Sequence, residues 1–164
     1  MSAEEKVLKN IQRMLAERCI AKIDLRTLNE NTEIHSTTHS FYYINSNLTI
    51  KQARYIEDNN QNKPTICIYN GTATCQAKVL LKSLNVECFS IDYFYYVPID
   101  YQKNITYSLL NEEKKKELKL SLNLKYLPKI HDQDVIARYY GAKTGDIFEI
   151  IRENSVYYRI VINT

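Results

Sequence analysis

Residues 127–152 read "LPKIHDQDVIARYYGAKTGDIFEIIR", and they hold most of the residues that fix backbone conformation in this chain. The whole chain has three glycines, and two of them, Gly141 and Gly145, lie here. Pro128, one of three prolines, lies near the start of the segment. A proline disfavours helix at the residue before it, so Leu127 should be extended and the preceding helix should stop there.

A short helix is predicted in the middle of this segment. Asp134 is a good N-cap for "VIARYY", and Gly141 follows where a helix commonly ends in a left-handed residue. The next residues, "AKTG", form a tight turn in which Gly145 can take a positive φ. Two strands, "DIFEIIR" (146–152) and "VYYRIVI" (156–162), then favour a β-hairpin closed by "ENS".

The N-terminal part contains helix and strand signals in alternation. Ser2 and Glu5 have capping-box spacing and predict a helix from about residue 3 to Arg18. "SFYYINS" (40–46) is typical of a strand, and "TIKQARYIED" (49–58) resembles a short helix with Ile50, Ala53, Arg54 and Ile56 as its inner side.

A βαβ unit is predicted next. "TICIY" (65–69) is a buried strand by composition, and Asn70-Gly71 follows as a turn. A helix capped by Thr72 or Thr74 then runs to Leu84, with an apolar stripe of Ala77, Val79, Leu80, Leu81 and Leu84. "ECFSIDYFYYV" (87–97) completes the unit as a strand.

The chain is therefore expected to form two domains of mixed α/β and α+β class. Residues 1–100 form an N-terminal α/β domain, and residues 101–164 form a small α+β domain ending in the hairpin. Residues 98–111 are expected to act as a linker. Asn111 then caps the helix "EEKKKELKLSL", whose lysine run is typical of a solvated face.

Charge and composition exclude little. Residues 1–100 hold 11 basic and 11 acidic residues, and residues 101–164 hold 11 and 8, so the surplus lies in the last third. A surplus of three favours a solvated basic face over a nucleic-acid surface. The N-terminus lacks the apolar run of a signal peptide and no segment is long enough for a membrane span, so a soluble intracellular protein is expected.

No cofactor, metal or catalytic site is predicted. Cys19, Cys67, Cys75 and Cys88 form no C-x-x-C pair and are expected to be reduced, often buried thiols. His35 and His39 have helical spacing, but the Ser and Thr residues between them disfavour a helix and a metal site. Phosphate-binding and dinucleotide-binding glycine motifs are absent from the sequence.

The C-terminal residues resemble one family. The pattern Leu-Pro-(Arg/Lys)-Ile, Asp-Pro-Val-Ala-Arg-Tyr, Gly-x-Lys-x-Gly-(Asp/Glu), an apolar pair and Ile-Ile-Arg is typical of the fifth-largest subunit shared by eukaryotic nuclear RNA polymerases, which has an equivalent in the archaeal RNA polymerase. The matching positions are Leu127 to Ile130, Asp134, Ile136 to Tyr139, Gly141, Lys143, Gly145 to Phe148 and Ile150 to Arg152. "NIQRMLAERCI" and "IYNGTATCQAK" are similar to earlier parts of the family.

The chain departs from the family pattern at four places. The family's Val-Pro-Lys-His segment is not recognisable, and the colinear residues are near Asn104 to Tyr107. Val135 and Ala73 each stand where the family has proline. The segment "ENSV" is shorter than the family's Ser-Glu-Thr-x-Gly loop, so a contact made by that loop would be altered here.

The resemblance implies a non-catalytic subunit of a DNA-dependent RNA polymerase, common to several nuclear polymerases. In that family the C-terminal domain docks on the largest subunit for assembly with the other subunits. The N-terminal domain forms part of the lower jaw near downstream DNA, which it would contact weakly or indirectly. The expected assembly residues are Leu127, Pro128, Ile130, Asp134, Ala137, Arg138, Tyr139, Gly141, Lys143, Gly145, Arg152 and Arg159. The expected residues near nucleic acid are Asn70, Gly71, Thr72 and Lys78.

Core packing is the competing role for three apolar residues, Leu127, Ile130 and Ile136. The charged residues are better suited to partner contacts, and they are Arg138, Lys143, Arg152 and Arg159. Two other classes stay open: a stand-alone nucleic-acid-binding module and a nuclease-like α/β protein. The expected location is the nucleus, or the cytoplasm if the sequence is viral.

Overall fold

A computed structural model describes residues 2–20, 28–102 and 104–163. The chain divides into two compact units, residues 1–96 and 97–164. Each unit has its own four-stranded sheet. No helix among the described residues is long and apolar enough to cross a bilayer.

The N-terminal unit begins with α1, Ala3–Glu17. The Ser2 hydroxyl accepts a hydrogen bond from the Glu5 amide at 3.1 Å, and the Glu5 carboxylate accepts one from the Ser2 amide at 2.7 Å. This is the capping box predicted from the sequence, and it satisfies two amides that the first helical turn leaves unpaired. The apolar stripe of α1 is buried, with Val7, Ile11, Met14 and Leu15 inside.

The sheet of this unit has the order β1-β2-β3-β4, formed by Thr32–His35, Ser40–Ile44, Thr65–Tyr69 and Val86–Ser90. The strand pair β1–β2 is antiparallel, whereas β2–β3 and β3–β4 are parallel. Helices α2, Ile50–Asn59, and α3, Cys75–Ser83, make the two crossovers. The unit thus contains two consecutive βαβ units, where the sequence predicted one.

Both faces of β2 and β3 are covered, which explains why every residue in these strands is buried. Ala53, Ile56, Ala77 and Leu81 of the crossover helices pack against one face. On the other side, Arg18 at the end of α1 stacks over the Phe89 ring at 5.7 Å.

Three local predictions in this unit were wrong. The strand expected over 87–97 ends at Ser90, because the Ser90 hydroxyl caps a 3-10 helix, Ile91–Phe94, by accepting from the Asp92 amide at 3.3 Å. Arg54 is exposed and is not on the inner side of α2. Val79, placed in the α3 stripe, is 70% exposed because only Ala77 and Leu81 of that helix are buried.

The cysteines differ in environment. Cys19 and Cys75 are exposed, against the expectation of burial, whereas Cys67 is buried and Cys88 is half-buried. Cys67 and Cys88 face each other across β3 and β4. The hydrogen bond with Cys88, together with burial, raises the pKa of the Cys67 thiol well above its usual value. Cys67 is therefore held as a neutral, unreactive thiol.

The C-terminal unit has the strand order β5-β7-β8-β6, formed by Ile105–Leu109, Ile147–Arg152, Ser155–Ile162 and Lys129–His131. The neighbours β5–β7 and β7–β8 are antiparallel, and β6–β8 is parallel. The two helices are α4, Glu112–Ser121, and α5, Val135–Tyr140. Asn111 caps α4 as predicted, accepting from the Lys114 amide at 2.9 Å.

The two faces of this sheet bury different apolar clusters. One face carries Phe148, Ile150 and Val161, which pack with Ile136 and Ala137 of α5. The other face carries Ile147, Tyr158 and Ile160, which pack with Leu118 of α4. The alternation predicted along β8 therefore corresponds to two packed layers.

Residues 98–111, predicted as a linker, belong to the C-terminal unit. They include a 3-10 helix, Pro98–Tyr101, and the strand β5, which pairs with β7 along its whole length. The mixed sequence "NITYSLL" does not alternate cleanly because β5 is an edge strand whose residues are mostly half-buried.

Candidate assembly surface of the C-terminal unit

The segment around Pro128 is extended and joins the sheet. Leu127 has φ −63° and ψ 139°, as expected before a proline. The Pro128 carbonyl accepts from the Ile160 amide at 3.0 Å, which starts the β6–β8 pairing. Leu127 lies half-buried in the cluster around Leu118, and Ile130 is 6% exposed in the opposite cluster.

The short helix α5 has the two ends predicted for it. The Asp134 carboxylate accepts from the Ile136 amide at 2.9 Å, which confirms the N-cap. Gly141 has φ 65° and ψ 30°, the left-handed conformation that costs glycine least. The Gly141 amide donates to the Arg138 carbonyl at 3.1 Å, and the Ala142 amide donates to the Ala137 carbonyl at 2.9 Å, so the end of the helix is closed.

A tight turn follows α5 and ends at Asp146. The Asp146 carboxylate accepts from the Lys143 amide at 2.8 Å, and the Asp146 amide donates to the Lys143 carbonyl at 2.9 Å. Gly145 has φ 93°, and a Cβ there would meet no atom within 4 Å. Glycine is therefore needed for its backbone conformation and not for space.

Asp146 also pairs with α4. Lys115 Nζ lies 2.8 Å from Asp146 Oδ1 and 2.8 Å from Glu112 Oε1, and its side chain is 12% exposed. Hydrogen bonds to Asp146 and Glu112 raise the pKa of Lys115, although burial opposes this. Sequence reasoning missed this pair, since Lys115 stands in a lysine run that is typical of a solvated face, and its neighbours Lys114 and Lys116 are exposed.

The expected assembly residues fall into three groups. Ile130, Ala137 and Tyr139 are at most 6% exposed and belong to the core. Asp134, Gly141 and Gly145 set the backbone. The remaining side chains reach the surface at least in part: Pro128, Lys143, Arg152 and Arg159 are exposed, and Leu127 and Arg138 are half-buried.

Arg152 and Arg159 lie on the sheet face that carries Phe148. Arg152 stands opposite Ile105, and Arg159 stands opposite Phe148. Among the described residues, neither side chain is within ion-pair distance of a carboxylate. Burial raises the pKa of Tyr107, and the positive charge of Arg159 partly opposes this, so Arg159 lies near that tyrosine.

The residues expected near nucleic acid lie around the loop after β3. The Asn47 side-chain oxygen accepts from the Thr72 amide at 2.8 Å, and the Asn70 side chain donates to Asn45 at 2.9 Å. A Cβ on Gly71 would lie 2.3 Å from Asn47 Oδ1. Lys78, on α3, is exposed and is the single cation of the four.

His35 and His39 lie outside the helices, so they do not have the geometry of residues spaced i, i+4 on a helix. His35 lies on β1 and not on a helix, and its ring bonds Glu33 Oε1 at 2.7 Å and Ser40 Oγ at 2.9 Å. This chain of Ser, His and Glu has the composition of a hydrolase triad, but Ser40 is 0% exposed and cannot reach a substrate. The described residues contain no group of three or more His, Cys, Asp or Glu side chains suited to a metal.

The extended proline segment, short helix, glycine turn and hairpin all lie in one part of the chain that is similar to a known protein family. Residues 100–161 match the family model described as RNA polymerase Rpb5, C-terminal domain. The C-terminal unit is therefore similar to the C-terminal domain of an RNA polymerase subunit. The range includes every residue expected at the assembly surface.

An archaeal protein is similar to part of the chain. The DNA-directed RNA polymerase subunit Rpo5 of Methanothrix thermoacetophila is 39% identical over 51 residues. The similarity covers 28% of this chain and 65% of the archaeal protein, slightly less than two thirds of its length.

Replacing Gly71 by Ala should destabilise the N-terminal unit by about 1–3 kcal/mol, because the new Cβ is strained at φ 127° and pushes Asn47 off the Thr72 amide. Urea unfolding followed by circular dichroism measures the loss. The double variant with Asn47→Ala should lose less than the sum of the single variants. Strict additivity would show that the contact with Asn47 is not the cause.

Lys115→Met should lower the free energy of unfolding by roughly 1–3 kcal/mol at neutral pH, since it removes a charged hydrogen-bond donor from two carboxylates. The pKa of Lys115 is raised in the native state, so its contribution is complete below the ordinary value of 10.5 and is lost as pH rises through the native value. The difference in free energy of unfolding between Lys115→Met and wild type should therefore become smaller in strong alkali. Lys114→Met is the control. An equal loss of stability in the two variants would show that the contacts of Lys115 with Asp146 and Glu112 do not stabilise the fold.

Proposed function

We propose that the chain is a non-catalytic subunit of a DNA-dependent RNA polymerase and that its C-terminal unit docks on the largest subunit during assembly. The observation that carries this proposal is the Rpb5 C-terminal domain match over residues 100–161. The similarity to an archaeal subunit named Rpo5 supports the same assignment.

The exposed and half-buried basic residues of the expected set are the proposed contacts. Arg152 and Arg159 extend from neighbouring strands on one sheet face without a carboxylate at ion-pair distance in the described chain. Lys143 and Arg138 add positive charge at the end of α5. Arginine is enriched at the energetic centres of interfaces because its guanidinium forms several directed hydrogen bonds.

The buried members of the expected set act indirectly. Ala137 and Ile130 fix α5 and β6 against the sheet, and Gly141 sets the direction in which the chain leaves α5. Their role in docking is therefore to hold the exposed residues in one geometry, which limits the entropy lost on binding.

The N-terminal unit is proposed as a jaw-like domain near downstream DNA. Asn70 and Thr72 are already bonded within the loop, so Lys78 is the member of this group best able to meet a phosphate. Contacts of this kind position a duplex without reading its sequence. In a cellular eukaryote the location would be the nucleus, and in a large DNA virus it would be the cytoplasm.

Tagged wild-type protein should recover the two large polymerase subunits from transcribing cells. The double variant Arg152→Glu with Arg159→Glu should recover them at least about 30-fold less well, as expected for two interface residues that each contribute over 1 kcal/mol. Lys114→Glu with Lys116→Glu changes the charge equally on exposed positions of α4 and should have no effect. Recovery of wild type without the large subunits would overturn the proposed function, and equal loss in both variants would overturn the assignment of the arginines.

Gly141→Val should destabilise the C-terminal unit by about 1–3 kcal/mol and reduce incorporation into the polymerase, because valine is strained at φ 65°. Gly141→Asn should be milder, since asparagine tolerates this conformation. Thermal unfolding and co-purification measure the two effects. An unchanged melting temperature with unchanged incorporation would refute the role of Gly141.

A further inference from the structure

The end of α4 and the following loop expose large apolar side chains. Leu118 is the buried residue of this ten-residue helix. Leu120 is 91% exposed and Tyr126 is 85% exposed, the two highest values among large apolar residues in the described chain. Leu122, between them, is 45% exposed. Large apolar side chains clustered at the surface mark an interaction site more often than isolated ones do.

The loop that presents these side chains is ordered by its own hydrogen bonds. The Leu122 amide donates to the Leu118 carbonyl at 2.8 Å, and the Tyr126 amide donates to the Asn123 carbonyl at 3.1 Å. The Asn123 side chain accepts from the Lys125 amide at 3.1 Å. The backbone that carries Leu122 and Tyr126 is therefore ordered before any partner arrives, which reduces the entropic cost of binding.

The same loop is anchored from beneath. Leu124 and Leu127 pack against the cluster of Leu110, Leu118 and Ile147. Leucines on the inner side thus fix the loop to the sheet, while leucines on the outer side stay in water. Leu124 and Leu127 therefore contribute to the core of the unit, whereas Leu120 and Leu122 do not.

The segment that carries these residues is basic. Residues 118–131 contain three lysines and no aspartate or glutamate. Lys119 and Lys125 line an open hollow of about 550 Å³ together with Leu120 and Leu122. Within the described part of the chain, neither lysine lies at ion-pair distance from a carboxylate. Glu117 is the nearest acidic residue in the sequence, and it does not line the hollow.

We propose that this hollow, lined by residues 119–125 and flanked by Tyr126, binds an acidic peptide segment that carries large apolar side chains. The leucines and Tyr126 offer apolar contact area, and the two lysines complement carboxylates placed beside it. A nucleic acid would use the lysines and could stack on Tyr126, but its phosphates would gain nothing from Leu120 and Leu122. The site is separate from Arg152 and Arg159, so it adds a second partner surface to the proposed docking face.

The test uses the full chain and short fluorescein-labelled peptides, with binding measured by fluorescence anisotropy. The first peptide alternates Asp or Glu with Leu and Phe. Two control peptides of the same length, the matched twins, each carry one replacement. One has Ser in place of the apolar residues, and the other has Lys in place of the acidic residues. The wild-type chain should bind the first peptide and bind both twins at least about tenfold more weakly. Binding should also weaken with salt.

Variants of the chain locate the site. Leu120→Ser with Tyr126→Ser, and separately Lys119→Glu with Lys125→Glu, should each weaken binding about tenfold, while circular dichroism shows the same fold. Lys114→Glu with Lys116→Glu makes the same charge change at other exposed positions of α4 and should bind like wild type. Val135→Ser removes an exposed apolar side chain elsewhere in the unit and should also bind like wild type.

Three results would overturn the proposal. The first is no preference for the acidic apolar peptide over its twins. The second is equal weakening by the control variants. The third is stronger binding of a DNA duplex that depends on the same lysines but not on Leu120. None of these results bears on recovery of the large polymerase subunits, so failure here is distinguishable from failure of the proposed function.

Discussion

The carboxylate of Asp146 connects the parts of the C-terminal unit that sequence places far apart. It accepts the Lys143 amide within its own turn and pairs with Lys115 on α4. The backbone carbonyl of Asp146 accepts a hydrogen bond of 2.8 Å from the Val161 amide on β8. One residue thus joins the turn after α5, the helix on the opposite face and β8. A partly buried ion pair with these additional hydrogen bonds constrains geometry more than an exposed pair does.

The same constraint explains why the surface residues are where they are. Because Asp146 fixes the start of β7, the register of β7 against β8 is set from Ile147 opposite Ile160 to Arg152 opposite Ser155. A shift of one residue would move Phe148 and Ile150 out of the core and turn Arg152 to the other face. The positions of Arg152 and Arg159 on one face therefore depend on a contact made at the other end of the hairpin.

Local features of the fold could be predicted from the sequence, and non-local ones could not. The caps at Ser2, Asp134 and Asn111 and the left-handed Gly141 each depend on residues within one turn, so spacing identifies them. The pairing of Lys115 with Asp146 joins residues 31 apart, and that of Asn47 with Thr72 joins residues 25 apart. No periodicity marks such contacts. The aromatic run over 87–97 predicts a strand throughout, but its second half contains a 3-10 helix in which Phe94 is buried. Composition alone does not distinguish a buried aromatic residue in such a helix from one in a strand. The exposure of Leu120 could not be predicted from the sequence either, since burial depends on which distant residues cover a side chain.

The two sheets differ in the order in which their strands can pair during synthesis. In the N-terminal unit the spatial order follows the chain order, so each new strand finds its neighbour already made. In the C-terminal unit β5 and β6 are the two edges and have no contact with each other in the sheet. Both must wait for the hairpin of β7 and β8, whose two-residue connection costs little entropy to close. On the ribosome, this sheet can form only after residues 147–162 have left the exit tunnel, so the N-terminal unit is expected to fold first.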